Sequence, residues 1–420
     1  MTVLEDARAL HGDLIRMRHD LHTRPELGLD LPYTQERVLA ELDTLPLEIT
    51  TGTALSSVTA VLRGGLPGPT VLLRGDMDAL PVTERSGVAF ASREPGRMHA
   101  CGHDLHTTML TGAAHLLAAR RDTLPGNVVF MFQPGEEGPG GAGLMIDEGV
   151  LDASGQRAVA AYALHVASAM IPNGVFASRP GTALAAADAV QVTVRGQGGH
   201  GSMPHLAKDP IPAACEMVTA LQTMVTRRFD IFDPVVITIG SFHAGTVDNV
   251  IPGEAVFSAT LRSFSREAHA RIKDEVAAVV RGIAQAHGLE AEVDFGRMSY
   301  PVTVNDTDAV ADAGTAIREL LGEERFFESP RPGAGAEDDS LVLDTVPGAM
   351  VMLGACPADR DLAKAPANHA PEAAFDDTVL ADGAAVYAEL ALRRLTAAAA
   401  DPTALEAETQ APQPQAAVAE

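Results

Sequence analysis

The sequence predicts an α/β protein in which a mostly parallel sheet is interrupted by an inserted ferredoxin-like α+β domain. Short apolar strands alternate with helices in residues 1–176, and the same texture returns after residue 296. Such alternation is typical of an open, largely parallel sheet with helices on its faces. Between these parts the order becomes strand–helix–strand–strand–helix–strand, which indicates a ferredoxin-like βαββαβ unit. At 420 residues the chain is long enough for two or three domains.

The first part of the sheet domain begins with two helices, which hydrophobic periodicity places at residues 5–22 and 34–42. Apolar runs bounded by turn-forming residues predict strands at 58–63, 70–74, 128–132 and 159–164. A third helix is predicted over residues 105–121, with Asp104 as its N-terminal cap. After the insertion the sheet resumes with a strand at 349–353, and residues 367–372 open a closing helix over about 375–395.

The inserted domain is predicted to span residues 177–296. Its strands are expected at 189–195, 235–241, 255–262 and 289–295, and its helices at 209–227 and 265–287. The sheet domain then comprises residues 1–176 and 297–398. Residues 399–420 are rich in Ala, Pro, Glu and Gln and are predicted to form a disordered tail.

Composition excludes several classes of partner. The formal net charge is −25 and the sequence pI is about 4.8, which argues against binding nucleic acid or an anionic membrane surface. The three cysteines are odd in number and far apart in the sequence, as expected in a reducing compartment. With neither a leader pattern nor a long apolar window, the sequence predicts a cytoplasmic protein without membrane contact.

Residues 98–106 concentrate the candidate metal chemistry, because they contain one thiol, three imidazoles and a carboxylate. Cys101 and His103 are two positions apart, so on an extended loop their side chains point to the same side. A thiolate and an imidazole that converge on one point suit a borderline-soft divalent ion such as zinc. The alternative at this stage is a buried cysteine beside surface histidines.

Further polar residues follow the ends of predicted strands. Asp76 and Asp78 follow the strand at 70–74, Glu136 and Glu137 follow the strand at 128–132, and His165 follows the strand at 159–164. In an open α/β sheet such positions share one edge, where sites form. With Cys101, His103 and the later His369, the set of N, O and S donors is too large for one tetrahedral ion and suits two ions that share a bridge.

Several motifs together resemble the two-metal amidohydrolases and peptidases, a family that includes aminoacylases, hippurate hydrolases, auxin-conjugate amidohydrolases and more distant carboxypeptidases. They occur in the family's order and cover about residues 10–395. The motifs lie at residues 74–81, 98–104, 132–138, 164–166, 198–205, 249–252, 261–262 and 368–369. Cys101 as a ligand is similar to the auxin-conjugate and hippurate hydrolase branch.

The resemblance implies a metal site with a general base beside it. Two divalent ions (Zn, Mn, Co or Ni) would be held by Cys101, His103, Glu137, His165 and His369, with the Cys101 thiolate as a candidate bridge. Glu136 would be the general base that activates a metal-bridged water and then passes the proton to the leaving amine. Asp78 would orient a ligand or the water.

The resemblance also implies roles for the inserted domain. His200 would stabilise the oxyanion of the tetrahedral intermediate, and Asn249 and Arg262 would bind the substrate carboxylate. Relatives can dimerise through this domain, so a homodimer or higher homo-oligomer is expected, in which His200 can serve the partner's site. One departure concerns residues 335–340, where Ala336 and Asp339 change a Ser-Glu-Asp-Phe-like run but Glu337 and Asp338 are kept.

The sequence therefore predicts a metal-dependent hydrolase that cleaves N-acyl amino acids, small-molecule substrates, to a carboxylic acid and a free amino acid. A dipeptidase or carboxypeptidase-like activity on the same site is the alternative enzyme. A metal-binding scaffold on a degenerate hydrolase fold is disfavoured because Glu136 and all five expected ligands are present. A nucleic-acid binder is disfavoured by the charge.

Overall fold

The computed structural model describes residues 2–296 and 299–400, so residues 401–420 of the predicted tail lie outside the described part. The chain divides into two compact units. The first unit contains the chain up to Gly181, Val304–Pro330 and the chain from Leu341, and the second contains Thr182–Thr303 and Arg331–Ser340. The short return of the chain into the second unit at Arg331–Ser340 was not part of the sequence-based expectation.

The elements are numbered in chain order. The helices are α1 (Val3–Thr23), α2 (Pro32–Leu42), α3 (His103–Ala118), α4 (Gly141–Asp147), α5 (Pro210–Arg228), α6 (Arg266–Ala286), α7 (Thr307–Leu321), α8 (Ser340–Leu343) and α9 (Leu380–Ala400). The strands are β1 (Leu47–Thr51), β2 (Val58–Arg63), β3 (Leu66–Asp76), β4 (Pro125–Gln133), β5 (Ala160–Ala167), β6 (Phe176–Ser178), β7 (Gly181–Leu184), β8 (Ala186–Arg195), β9 (Gly199–His200), β10 (Val235–Ala244), β11 (Val250–Ile251), β12 (Glu254–Ser263), β13 (Glu290–Asp294), β14 (Ser299–Tyr300), β15 (Thr303–Asn305), β16 (Phe326–Glu328) and β17 (Gly348–Gly354).

The first unit is built on an eight-stranded sheet in the order β1-β2-β4-β3-β5-β17-β6-β16. Its four central strands, β4, β3, β5 and β17, are parallel to one another, and antiparallel pairs lie toward both edges. These central strands are buried on both faces, as expected for parallel strands covered by helices. Helices α3 and α9 pack against the strands, and α1 packs on α3 and α9. The predicted α/β class with a mostly parallel sheet is confirmed.

The second unit is built on a five-stranded antiparallel sheet, in which four strands follow the order β10-β12-β8-β13 and the short β14 also pairs with β8. Helices α5 and α6 pack against the sheet with one apolar face each. The Asp209 and Ser265 side chains accept hydrogen bonds from the first turns of α5 and α6 and so set where these helices begin. The strand order is that of a ferredoxin-like fold, as predicted.

Three local predictions are wrong. Asp104 does not cap α3, because the helix already begins at His103 and its cap is Gly102, whose φ is +84°. A Cβ at Gly102 would lie 2.3 Å from Val166 Cγ2, so only glycine fits there. Asp76 and His165 lie within β3 and β5 and do not follow these strands. Residues 367–372 form a loop, and the closing helix begins only at Leu380, so His369 lies outside a helix.

The closing helix runs to Ala400, so residues 399 and 400, which were assigned to the tail, are helical. In the described part of the chain, no helix combines the length and apolarity that crossing a bilayer requires.

Candidate metal centre

The carboxyl ends of three parallel strands bring the candidate ligands of the first unit to one edge of the sheet. Asp76 ends β3, Glu136 and Glu137 follow β4, and His165 lies near the end of β5. Helix α3 begins at the same place with His103 as its first residue. The parallel arrangement explains why residues far apart in the sequence meet here.

The five predicted ligands come together around Cys101. Its Sγ lies 3.4 Å from His165 Nε2 and 3.2 Å from His369 Nε2. Glu137 Oε1 lies 3.3 Å from His369 Nε2 and 3.9 Å from His103 Nε2. The structure therefore gathers one thiol, three imidazoles and one carboxylate in a single cluster.

The cluster contains two groups of three donor residues that could each hold a metal ion, and the two groups share one donor atom. Cys101, His103 and His165 form one group, and Cys101, Glu137 and His369 form the other, with the donor atoms of each group within 4.8 Å of one another. The shared donor is the sulfur of Cys101. This is the arrangement expected when two ions share a thiolate bridge.

The buried polar atoms of the cluster fit bound cations. Both ring nitrogens of His103 and Oε1 of Glu137 are buried without a hydrogen-bond partner among the described residues. Leaving such atoms unpaired is costly, and cations coordinated by them would satisfy His103 Nε2 and Glu137 Oε1. Thiolate and imidazole donors with one carboxylate suit Zn and related divalent ions.

Charge within the cluster favours a thiolate. Burial alone would raise the pKa of the Cys101 thiol, but the nearby imidazoles of His165, His103 and His369 lower this pKa well below its usual range. The neighbouring Cys101 thiolate and Glu137 carboxylate raise the pKa of His369 to about 10. The cluster thus carries a negative sulfur, the form that binds metal.

His103 is held between carboxylates. Burial opposes its charge, yet Asp76 and Asp78 raise the pKa of His103 well above its ordinary value. Its Nδ1 lies 3.7 Å from Asp76 Oδ1 and 3.6 Å from Asp78 Oδ1. These carboxylates face the ring nitrogen that is turned away from Glu137, which is the usual support of a ligating imidazole.

Asp78 positions the two glutamates. Its Oδ1 accepts a hydrogen bond from the backbone N–H of Glu136 at 2.9 Å, and its Oδ2 accepts one from the N–H of Glu137 at 3.1 Å. The Asp78 side chain therefore fixes the turn that carries both carboxylates. That Asp78 orients a metal ligand or the water, as the resemblance implies, stays a prediction.

Sequence reasoning missed Asp76 and His106 as supports. His106 Nε2 accepts a hydrogen bond from the Val166 N–H at 2.7 Å, so its proton lies on Nδ1, which donates to Asp76 Oδ1 at 2.6 Å. The second oxygen of Asp76 accepts from Arg74 Nη1 at 2.7 Å. Burial lowers the pKa of His106 to about 4, so the ring stays neutral. The sequence did contain a signal for His106. It lies three residues after His103, and residues at this spacing share a helix face.

Asp104 belongs to a buried charge cluster behind α3. Its Oδ2 accepts hydrogen bonds from Arg18 Nε at 2.7 Å and from His22 Nδ1 at 2.8 Å. His22 Nε2 lies 3.2 Å from Glu84 Oε1. Burial alone would lower the pKa of His22, but Asp104 and Glu84 raise it. The cluster links α1 by hydrogen bonds to the first turn of α3, the helix that begins with His103.

In the second unit, the structure brings His200 and Asn249 together. Strands β9 and β11 pair His200 with Val250, and the Gly201 N–H donates to the Asn249 carbonyl at 2.8 Å. His200 is exposed, and its Nδ1 accepts a hydrogen bond from the Ser202 N–H at 3.1 Å. The ring proton is therefore on Nε2, which makes Nε2–H the donor that His200 offers.

Arg262 lies far from this pair within the same unit. It stands eight positions after Glu254 on the continuous strand β12, and eight positions span about 26 Å at ~3.3 Å each. Asn249 precedes the start of that strand. Asn249 and Arg262 of one chain thus lie at opposite ends of β12. Burial lowers the pKa of Arg262, whose Nη1 donates to Thr260 Oγ1 at 2.7 Å.

The altered run at residues 335–340 lies in the return segment of the second unit. Glu337, Asp338 and Asp339 are all buried there. Gly333 and Gly335 accept backbone hydrogen bonds from Ala185, which fix the segment beside β8.

The sequence profile of peptidase family M20/M25/M40 matches residues 72–393 of this chain, more than half of its length. The chain belongs to this family. The resemblance to two-metal amidohydrolases and peptidases is therefore confirmed.

Relatives at similar identity carry different names. Thermostable carboxypeptidase 2 of Saccharolobus solfataricus is 36% identical over 391 residues, which cover 92% of this chain and 97% of that protein. The N-acetylcysteine deacetylase of Bacillus subtilis is 33% identical, with coverage of 92% and 97%. IAA-amino acid hydrolase ILR1-like 2 of Arabidopsis thaliana is 36% identical, with coverage of 91% and 85%.

A solved structure of a family member has the same fold. A Bacillus subtilis protein described as a dinuclear metal-binding peptidase of the M20 family superposes with a TM-score of 0.77 at 31% identity. The match covers 93% of this chain and 99% of that one. The overlapping ligand groups of this chain agree with a dinuclear centre.

Proposed function

We propose that this protein is a metal-dependent amidohydrolase that cleaves the amide bond of N-acyl amino acids. The observation that carries the proposal is the pair of ligand groups sharing Cys101, with Glu136 beside them in a third group with His103 and Glu137. The names of the deacetylase and the IAA-amino acid hydrolase support an N-acyl substrate.

Two divalent ions would be held by Cys101, His103, Glu137, His165 and His369. When bound, such ions polarise the scissile carbonyl and lower the pKa of water. The mixed sulfur, nitrogen and oxygen donors suit Zn, Mn, Co or Ni, with supply deciding among them.

Glu136 is the proposed general base. It lies outside both groups that share Cys101, its side chain is buried, and its backbone is fixed by Asp78. In this role its carboxylate takes a proton from the attacking water and passes it to the leaving nitrogen. A buried, positioned carboxylate beside the ligands is what this transfer requires.

The second unit is proposed to recognise charge on the substrate. His200 donates from Nε2–H to the oxyanion that develops on the attacked carbonyl. Arg262 binds the substrate carboxylate, and Asn249 assists. Because Arg262 lies at the other end of β12 from His200 and Asn249, we assign the latter two residues to the site of a second copy in a homodimer.

Carboxypeptidase-like or dipeptidase activity is the second candidate function. The name of one relative, thermostable carboxypeptidase 2, favours it. The two activities differ at the N-terminal side of the scissile bond. With a dipeptide as substrate, a peptidase site must accept a free amine there, whereas an amidohydrolase site accepts an uncharged acyl group.

The test combines metal content with hydrolysis. The protein is purified without added metal, its metal content per chain is measured, and N-acetyl and N-benzoyl amino acids are compared with the matching dipeptides before and after chelation. We expect about two ions per chain and amide cleavage that chelation abolishes and Zn, Mn, Co or Ni restores. Faster cleavage of the dipeptides would favour the second candidate, and no cleavage with any metal would contradict both.

A further inference from the structure

Met170 has a strained backbone. Its φ is +68°, and apart from His369 it is the one non-glycine residue with positive φ within residues 2–296 and 299–400. The Ile171 N–H donates to the Ala169 carbonyl at 2.8 Å, so Met170 is the central residue of a γ-turn with positive φ. This turn is rare and strained for a residue with a side chain, whereas glycine adopts positive φ readily.

The strain persists because the chain is anchored on both sides of Met170. Before it, the Ser168 N–H donates to Asn368 Oδ1 at 2.9 Å, and Ser168 Oγ donates to the Pro366 carbonyl at 2.8 Å. After it, the Gly174 N–H donates a hydrogen bond to the carbonyl of Gly354 on β17, and the Gly354 N–H donates one to the Val175 carbonyl. Strained residues are held in this way mainly at functional sites.

These anchors connect the Met170 segment to the candidate ligands, because Asn368, whose Oδ1 accepts from Ser168, has its Nδ2 3.7 Å from Cys101 Sγ. Asn368, which binds Ser168, directly precedes the ligand His369 and donates to the Val166 carbonyl at 2.9 Å. Only Ala169 separates Ser168 from Met170, so their Cα atoms are at most about 7 Å apart. Met170 is 81% exposed, so it packs little against its own unit and is open to contact from outside.

We infer that Met170 is a specificity-determining residue whose thioether chain contacts the acyl group of the substrate and favours extended apolar acyl groups. The inference rests on the proposed function. A thioether cannot bind the substrate carboxylate, which Arg262 takes in that proposal, so Met170 is left with the apolar parts of the substrate. In an N-acylglycine, which has no amino-acid side chain, that part is the acyl group. A flexible, polarisable methionine adapts to such chains.

The test measures binding and turnover separately for N-octanoylglycine and N-acetylglycine. Dissociation constants come from calorimetry on the metal-loaded Glu136→Gln protein, and kcat/KM values come from protein with native Glu136. Met170→Ala removes the thioether and keeps the strain, Met170→Gly removes both, and Met170→Leu keeps an apolar side chain. Leu66→Ala is the matched control, because Leu66 is also exposed but begins β3 at the opposite end of the strand from the site.

We expect Met170→Ala and Met170→Gly to weaken octanoyl binding and lower its kcat/KM by about tenfold, with the acetyl compound changed less than about twofold. Met170→Leu and Leu66→Ala should match the parent, and Met170→Gly should unfold at the same or a higher temperature. An octanoyl-to-acetyl affinity ratio unchanged by Met170→Ala would overturn the inference. If the parent binds both ligands but cleaves neither, the proposed function fails while the affinity ratio still decides the role of Met170.

Discussion

The candidate site residues of the two units differ in burial and in how their side chains are supported. In the first unit His103, Asp76 and Asp78 are fully buried, and hydrogen bonds from neighbouring strands and helices support the cluster. In the second unit His200 and Asn249 are exposed, and Arg262 lies at the far end of a strand from both. One unit carries a preorganised cluster, and the other carries separate surface groups.

This difference indicates which part of the candidate site is formed within a single chain. Metal ligands need fixed donors with little room to relax, and burial between strands and a helix provides that. Residues that bind substrate can stand on a surface if a second surface completes the site. The predictions below separate these two cases, beginning with the largest expected effect.

Glu136→Gln should remove most turnover and keep the metal. The amide cannot accept the proton from the attacking water, so kcat should fall by roughly 10²–10⁴. Metal content per chain measured on the same preparation should stay unchanged, because Glu136 is outside both groups that share Cys101. Retained activity would show that another residue is the base.

His200→Ala should lower kcat by about 10²–10³ through loss of an oxyanion donor, again with the metal retained. The decisive measurement mixes this variant with Glu136→Gln under conditions of subunit exchange. If His200 serves the partner's site, mixed dimers regain one intact site and the mixture recovers about a quarter of the native activity.

The control for this mixing experiment pairs Glu136→Gln with the double variant that carries both changes, and that mixture should stay inactive. A His200→Ala and Glu136→Gln mixture that also stays inactive, although mixed dimers have formed, would show that His200 acts within its own chain.

Arg262→Ala should raise KM by about 10–100-fold for substrates with a free carboxylate, with a smaller effect on kcat, because a charge-assisted hydrogen bond is lost. Substrates amidated at that carboxylate should change little. Equal losses on both kinds of substrate would remove Arg262 from carboxylate binding.

His22→Gln should have the smallest effect, a loss of about 1–2 kcal/mol in the free energy of unfolding. Because Asp104 and Glu84 raise the pKa of His22 against the effect of burial, its charged form stabilises the fold below about pH 6.5, the unfolded value. That stabilisation is lost as pH rises through the folded pKa. The difference from the native protein should therefore be larger at pH 6 than at pH 9.

Denaturant unfolding of chelator-treated protein at both pH values measures this difference. His19→Gln, in the same helix with the half-buried partner Asp377, is the control and should cost less. A cost for His22→Gln that grows with pH would contradict the assigned charge state.

The sequence was a good guide to elements whose cause is local. The strand at 58–63 was predicted with its observed bounds, since its apolar residues and flanking glycines are sufficient. It was a poor guide to Asp104, which looked like a helix cap and instead binds Arg18 and His22 from another helix. No local pattern distinguishes a carboxylate that caps its own helix from one that is paired across a helix interface.

By itself, the sequence determined the alternation of strands and helices, the ferredoxin-like insertion and the ordered motifs, because periodicity and residue type act over short stretches of chain. Only the tertiary structure decided that Cys101 is shared by two donor groups, that His106 joins Asp76 to β5 and that Met170 is strained. It also decided that Arg262 and Asn249 of one chain lie apart. These facts depend on strand order and on contacts between distant segments, which local sequence patterns do not encode.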